Sequence, residues 1–274
     1  MKTRKDRDCI ELAWKINDTY LFDSFFGMAV EGKQRIGKSS YVSQSLAEAC
    51  GEWDHRFKLD DGRTVSKCVD PDYDEVKKWM VFPPKEFLEL VLHVDKKERA
   101  VIWDDAGFWL FALDWYEPFV KSVSRYIQLA GRQFGVLILT TPNKRLISGK
   151  VLEALPDMYV SKIVRTGDDD VNYRPRMAKV YERWDYPDGK KGGVKTRWKD
   201  RFNAMLPDPF FKWYKPKSDH YMDIGLQLLK KEVGKITKKR DKKEAEDYME
   251  NVHQVVGEPE RIKEVNELIA NLSE

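Results

Sequence analysis

Gly32-Lys33-Gln34-Arg35-Ile36-Gly37-Lys38-Ser39 fits the pattern G-x-x-x-x-G-K-[ST] at every fixed position. The aromatic-apolar run Phe25-Phe26-Gly27-Met28-Ala29-Val30 precedes it, and residues 39 to 50 contain no helix breaker. The stretch therefore reads as strand, glycine-rich turn and helix, half of a βαβ unit. In that setting backbone N–H groups and the positive end of a helix dipole converge on one point, which suits phosphate. The glycines permit close approach, Lys38 would reach the β and γ phosphates, and the Ser39 hydroxyl would bind Mg²⁺. The expected nucleotide-binding residues are thus Gly32, Lys33, Gln34, Arg35, Ile36, Gly37, Lys38, Ser39 and Ser40.

A second signal is Ala100-Val101-Ile102-Trp103-Asp104-Asp105, a buried strand ending in two carboxylates. Side chains alternate along a strand, so adjacent acids point differently. Asp104 is expected on the Mg²⁺ side, and Asp105 to orient or deprotonate an attacking water. A kinase would not need that second acid. The third signal is Gly135-Val136-Leu137-Ile138-Leu139-Thr140-Thr141-Pro142-Asn143, a buried strand that delivers polar groups past its C-terminal end. Ligands of open α/β sheets bind there. Thr140, Thr141 and Asn143 are candidates to sense a γ-phosphate, with ordinary turn chemistry as the alternative. Leu146 stands where a guanine-reading N-K-x-D motif would have Asp, which disfavours GTP.

Working outward, residues 85 to 93 and 117 to 131 read as helices, and 100 to 103 and 136 to 140 as strands. In the helix from Glu117, the positions Phe119, Val120, Val123, Tyr126, Ile127 and Ala130 form one apolar stripe. Lys121, Arg125, Gln128 and Arg132 occupy the opposite face. Arg132 is a candidate arginine finger for a neighbouring subunit, and a solvated helix face fits the same pattern.

From about Met158 the texture changes to segments rich in β-branched and aromatic residues, 159 to 164 and 177 to 184. A turn holding Lys190 and Lys191 separates the second from 194 to 198, which reads as a hairpin. After Pro216 the chain reads as a charged helix in which residues 230 to 243 hold eight basic and two acidic side chains. Strands alternating with helices imply a three-layer α/β fold of P-loop NTPase type with a mainly parallel sheet. The expected divisions are a core over residues 1–157, a β-rich continuation with a basic hairpin over 158–216, and a charged helical extension over 217–274.

Composition narrows the class. The chain of 274 residues is 42% hydrophobic, yet no apolar run approaches the roughly 20 residues that span a bilayer. Neither a membrane partner nor a secretory leader is expected, and the cytoplasm of the host cell is the expected location. Three widely spaced cysteines, Cys9, Cys50 and Cys68, match no zinc-ligand spacing. The charged fraction of 35%, beside few Gln and Asn, has a thermophile texture. A net charge of +3 is too small to prove a nucleic-acid partner by itself.

Three stretches together, 32 to 39, Val-Ile-Trp-Asp-Asp-Ala-Gly-Phe-Trp-Leu at 101 to 110 and Gly-Val-Leu-Ile-Leu-Thr-Thr-Pro at 135 to 142, resemble a family. It is the DnaA-like P-loop ATPases encoded by spindle-shaped viruses and related plasmids of hot-acid archaea. Lys195-Thr196-Arg197-Trp198 and Leu206-Pro207-Asp208, followed by a charged helix, match it too. The resemblance spans about residues 15 to 230. It implies a RecA/AAA-like core, ATP and Mg²⁺ as ligands, and a role on viral or plasmid DNA such as replication initiation or helicase loading. Asp105 stands where typical AAA-type initiators carry Glu, and the C-terminus shows no helix-turn-helix.

The expected function is accordingly an oligomeric ATPase acting on DNA or on a viral or plasmid replication or packaging protein. A packaging or conjugation-type translocase and a nucleotide-gated interaction module with little turnover are the alternatives. Phe108, Trp109, Phe111, Trp115 and Tyr116 fit either core packing or stacking on bases.

Overall fold

The computed structural model describes residues 7–59, 62, 64–111, 118–155, 158–184 and 193–239, with residues 7, 8, 183, 184, 225, 226 and 228–239 described by backbone alone. The chain divides into two compact units, Met1–Phe211 and Lys212–Glu274. In the first, the P-loop strand β2 (Phe26–Glu31) lies inside a seven-stranded sheet. The short strand β5 (Met80–Val81) forms one edge. Inward from it come β6 (Glu98–Trp103), β7 (Phe134–Thr141), β2, β8 (Tyr159–Arg165), β9 (Pro175–Trp184) and β10 (Gly193–Asn203).

The five strands from β5 to β8 are parallel, and β9 and β10 extend them antiparallel. Burial explains the division. Every residue of β7 is buried, as are the first five of β2, which is what a parallel sheet covered on both faces requires. In β10, Trp198, Asp200 and Phe202 are buried while Lys199 and Arg201 are exposed, the alternation of a strand with one wet face. A register shift between Thr196 and Trp198 leaves Arg197 as an extra residue, a bulge at the sheet edge.

Helices cover both faces. One face carries α1 (Glu11–Leu21) and α2 (Lys38–Cys50), which pack on each other and on β6 and β7. The other carries α4 (Pro84–Leu92), α6 (Pro118–Ala130) and α7 (Gly149–Ala154), whose side chains build a core around Trp103, Phe87, Phe134 and Leu137. The apolar stripe expected on α6 lies in or against that core, and Lys121, Arg125, Gln128 and Arg132 are exposed.

Asp200 fastens the edge strand to the first face. Its carboxylate accepts from Tyr41 Oη at 2.6 Å, Trp198 Nε1 at 3.0 Å and the Glu11 backbone N–H at 2.9 Å. It thereby caps α1, whose N-cap residue Ile10 supplies no side-chain acceptor.

A three-stranded sheet of β1 (Arg7–Asp8), β4 (Thr64–Asp70) and β3 (Glu52–Lys58) lies outside the main one. Its strands, together with α1 and α3 (Tyr73–Trp79), carry no long apolar run and give no clear signal in the sequence. A further difference concerns α8 (Asp208–Lys239), which begins before Pro216 and runs through it. Proline forfeits one hydrogen bond there. The carbonyl it leaves belongs to exposed Lys212, where water can take it.

Candidate nucleotide-binding site

The turn between β2 and α2 has the backbone that phosphate binding requires. Gly37 caps α2 at φ 103°, ψ 26°, and a Cβ there would lie 2.8 Å from the Ala204 Cβ. Conformation and packing both demand glycine. Arg35 is left-handed as well, at φ 58°. Such turns aim neighbouring N–H groups into one concavity, and the first N–H groups of α2, which have no partner inside the helix, stand directly behind.

Lys38 is buried, and its Nζ donates to the Gly32 and Lys33 carbonyls at 3.2 Å each. Burial lowers its pKa, opposed by the charges of Asp105 and Asp104. Strand order brings those acids within reach, because β7 alone separates β6 from β2, and Val30 is level with Thr140. Asp104 is fully buried. Its two oxygens each lie 2.9 Å from Ser39 Oγ, and Thr140 Oγ1 donates to Oδ1 at 2.6 Å. The same Thr140 oxygen accepts the Asp105 N–H at 2.8 Å, so one hydroxyl joins both acids.

Asp105 leaves the strand in a left-handed turn, φ 51°, ψ 33°, at the start of the single-turn helix α5 (Ala106–Trp109). Its carboxylate reaches solvent on one side, while the surrounding protein and then the Asp104 charge raise its pKa to about 6 against the pull of Lys38. An ordinary aspartate titrates near ~3.9. The folded value is the higher one, so this group's stabilisation is complete below about pH 4 and is lost as pH rises through 6. Asp105→Asn should therefore raise the melting temperature of metal-free, nucleotide-free protein at pH 8 and leave it nearly unchanged at pH 4. An equal gain at both pH values would contradict this.

The other expected site residues are distributed unevenly. Alternation along β7 turns Thr141 to the opposite face from Thr140. Thr141 is fully buried, its Oγ1 donates to the Asn143 carbonyl at 2.9 Å, and it packs against Gly107. The bonds to Asp104 and to the Asp105 N–H are thus made by the Thr140 hydroxyl, while that of Thr141 is bonded to Asn143. Asn143 lies just past the C-terminal end of β7, next to Lys144, whose N–H donates to Glu31 Oε2 at 3.1 Å. Its own Oδ1 caps the 3-10 turn Lys144–Leu146 by accepting from the Arg145 N–H at 3.0 Å.

Arg132 precedes β7, at the opposite end of the strand from Thr140, so it has no part in its own chain's site. Lys190, Lys191, Trp115 and Tyr116 lie outside the described residues, as do the side chains of 230–243. Of the remaining aromatic candidates, Trp109 packs against the core and Phe108 is exposed.

Three bonds that tie the P-loop and α2 to distant segments have no motif to announce them. Ser40 Oγ donates to the Ala204 carbonyl at 2.7 Å, and Gln44 Nε2 donates to the Asn203 carbonyl at 2.6 Å. Arg176 Nε donates to the Ile36 carbonyl at 2.9 Å. They reach β9, the last residue of β10 and the residue after it, where the sequence shows only β-branched and aromatic texture.

No family model matches the chain. A protein of Sulfolobus spindle-shape virus 1, "Uncharacterized protein B-251", is 23% identical over 231 residues, covering 84% of this chain and 88% of that one. It agrees with the spindle-shaped-virus side of the resemblance, while a DnaA-like family is not shown. Among solved structures, the N-terminal domain of zonular occludens toxin from Neisseria meningitidis is 12% identical at TM-score 0.30, covering 69% of this chain and 97% of that chain. The KaiC-like protein PH0186 from Pyrococcus horikoshii OT3 is 10% identical at TM-score 0.31, covering 64% and 92%. The α/β assignment stands on the strand order and the turn geometry above. None of the described helices is long and apolar enough to cross a membrane.

Proposed function

We propose that this chain is a Mg²⁺-dependent ATP hydrolase that works as an oligomer on viral or plasmid DNA, in replication initiation or helicase loading. The observation that carries the hydrolase reading is the division of labour between two adjacent acids beside the P-loop. Asp104 is buried and bonded to Ser39 and Thr140, whereas Asp105 faces the open mouth with a raised pKa.

The Ser39 hydroxyl and the Asp104 carboxylate are the hard oxygen donors that Mg²⁺ takes, and such sites need only one or two carboxylates beside the phosphates. When bound, Mg²⁺ would neutralise charge on the β and γ phosphoryl oxygens. Lys38 and the N–H groups of the turn would hold the phosphates, and Asp105 would orient a water and accept its proton. Leu146 in the 3-10 turn leaves no carboxylate to read guanine.

Support for a nucleic-acid partner comes from β10, whose wet face presents Lys199 and Arg201, while beyond the bulge Lys195 is exposed on the other face and Arg197 pairs with Glu182. Exposed cations on an edge strand suit a phosphodiester backbone, and they also guard an edge against pairing with another sheet.

The deciding experiment measures ATP hydrolysis with and without Mg²⁺ and DNA. Mg²⁺-dependent turnover is expected; tight ATP binding without turnover would leave a nucleotide-gated interaction module. Cutting the chain after Leu229 should spare DNA-free turnover and weaken DNA binding. The slope of log K against log salt should flatten by about 0.9 for each duplex phosphate that the shortened chain no longer neutralises. Unchanged affinity and slope would make the tail a protein-binding arm.

A further inference from the structure

We infer that Arg176 is a positioning residue for phosphate binding: it holds the Ile36–Gly37 peptide so that the Gly37 N–H faces the bound phosphates. This rests on the ATP-binding reading above and assigns a role to a residue that touches no nucleotide atom.

The side chain of Arg176 is 1% exposed. Nη1 and Nη2 form a fork on Asp169, at 2.6 Å to Oδ1 and 3.0 Å to Oδ2, and Nη1 also donates to the Pro175 carbonyl at 2.9 Å. That fixes the plane of the guanidinium and leaves Nε aimed at one acceptor, the Ile36 carbonyl. Such paired, charge-assisted bonds are strong and geometrically specific.

Ile36 lies between two left-handed residues, Arg35 and Gly37, where the peptide plane has few other restraints. The described residues contain no cis peptide, and in a planar trans unit the C=O and the following N–H point in opposite directions. Fixing the Ile36 carbonyl on Arg176 therefore directs the Gly37 N–H away from Arg176. The Ile36 N–H is already spent on the Lys33 carbonyl at 3.3 Å, so Gly37 is the next donor that the turn has to offer.

The same side of the P-loop meets Ala204, against Gly37, and the Asn203 and Met205 carbonyls, both on Gln44. Arg176 lies at the start of β9 and Asn203 closes β10. The paired start of β9 and end of β10 thus meet the phosphate turn and α2 together, which makes Arg176 part of a support and not an isolated surface pair.

The test compares full-length wild type with Arg176→Met, Arg176→Lys and Asp169→Asn. Binding of Mg²⁺-ATP and of Mg²⁺-tripolyphosphate, which lacks base and sugar, is measured alongside steady-state hydrolysis and thermal melting. Arg176→Met is expected to weaken both ligands by the same factor, about 10- to 100-fold, the size of one charge-assisted hydrogen bond. The loss should fall on KM and not on kcat. Lysine keeps the charge but cannot hold Asp169 as a fork and reach Ile36 together, so Arg176→Lys should rescue only in part. Asp169→Asn, at an exposed position, should weaken both ligands several-fold and keeps the test decisive if Arg176→Met fails to fold. Folded Arg176 and Asp169 variants that bind tripolyphosphate like wild type would overturn the inference. Wild type that binds neither ligand would instead overturn the ATP-binding reading.

Discussion

Replacing Lys38 with Ala is expected to abolish measurable ATP binding, whereas Asp105→Asn keeps binding within about threefold and cuts turnover by about 10²- to 10⁴-fold. The two residues act on different parts of the reaction. Lys38 Nζ sits on the Gly32 and Lys33 carbonyls of the turn, and its removal deletes a cation held where phosphate would bind. A charge-assisted bond of this kind is worth about 1.5–3 kcal/mol, and the electrostatic loss in a partly dry site adds to it. Asp105 contributes negative charge at the mouth, so its amide variant removes a proton acceptor without removing a phosphate ligand. Binding of a fluorescent ATP analogue and phosphate release under saturating ATP separate the two effects. Equal loss of binding in both variants would refute the division of roles.

The largest effect on stability is expected from Trp103→Ala. Trp103 is fully buried, stacks on Phe87 with ring centroids 4.3 Å apart, and donates from Nε1 to the Phe82 carbonyl at 2.7 Å. Truncation empties the space between β6 and α4 and strands a buried carbonyl. Large-to-small changes of this kind cost about 3–5 kcal/mol, with about 1 kcal/mol more for the carbonyl left without its donor. At about 2–4 °C per kcal/mol for a domain of this size, the melting temperature should fall by on the order of 10 °C. Trp103→Phe keeps most of the volume and should lose much less. A fall of under about 2 °C for the alanine variant would show that the core rearranges to fill the space.

Trp103 and Asp104 also show how one strand serves stability and chemistry together. Consecutive side chains point to opposite faces, so Trp103 enters the core under α4 and α6 while Asp104 enters the site beside α2. A shift of β6 by one residue would exchange them, burying a carboxylate in the apolar core. The packing of Trp103 therefore fixes the register that places Asp104 against Ser39.

Local information was enough for the P-loop, for the two acids and for the parallel core. Each is a contiguous stretch whose meaning depends on its own order of residues: a glycine turn between an apolar run and a helix, a buried run ending in Asp104-Asp105, a buried run ending in threonines. Backbone conformation and burial on both faces follow from such stretches without knowledge of partners.

Tertiary structure alone decided the rest. Which of Thr140 and Thr141 meets Asp104 depends on the pairing of β6 with β7, which aligns Trp103 with Leu139. That Asp200 caps α1 depends on β10 crossing 189 residues of sequence to reach Glu11. The bond from Arg176 to Ile36 spans 140 residues. The physical reason is common to all three. A hydrogen bond needs its partner within about 3 Å in a set direction, and strand order and register set that approach between distant segments. No periodicity within either segment carries it.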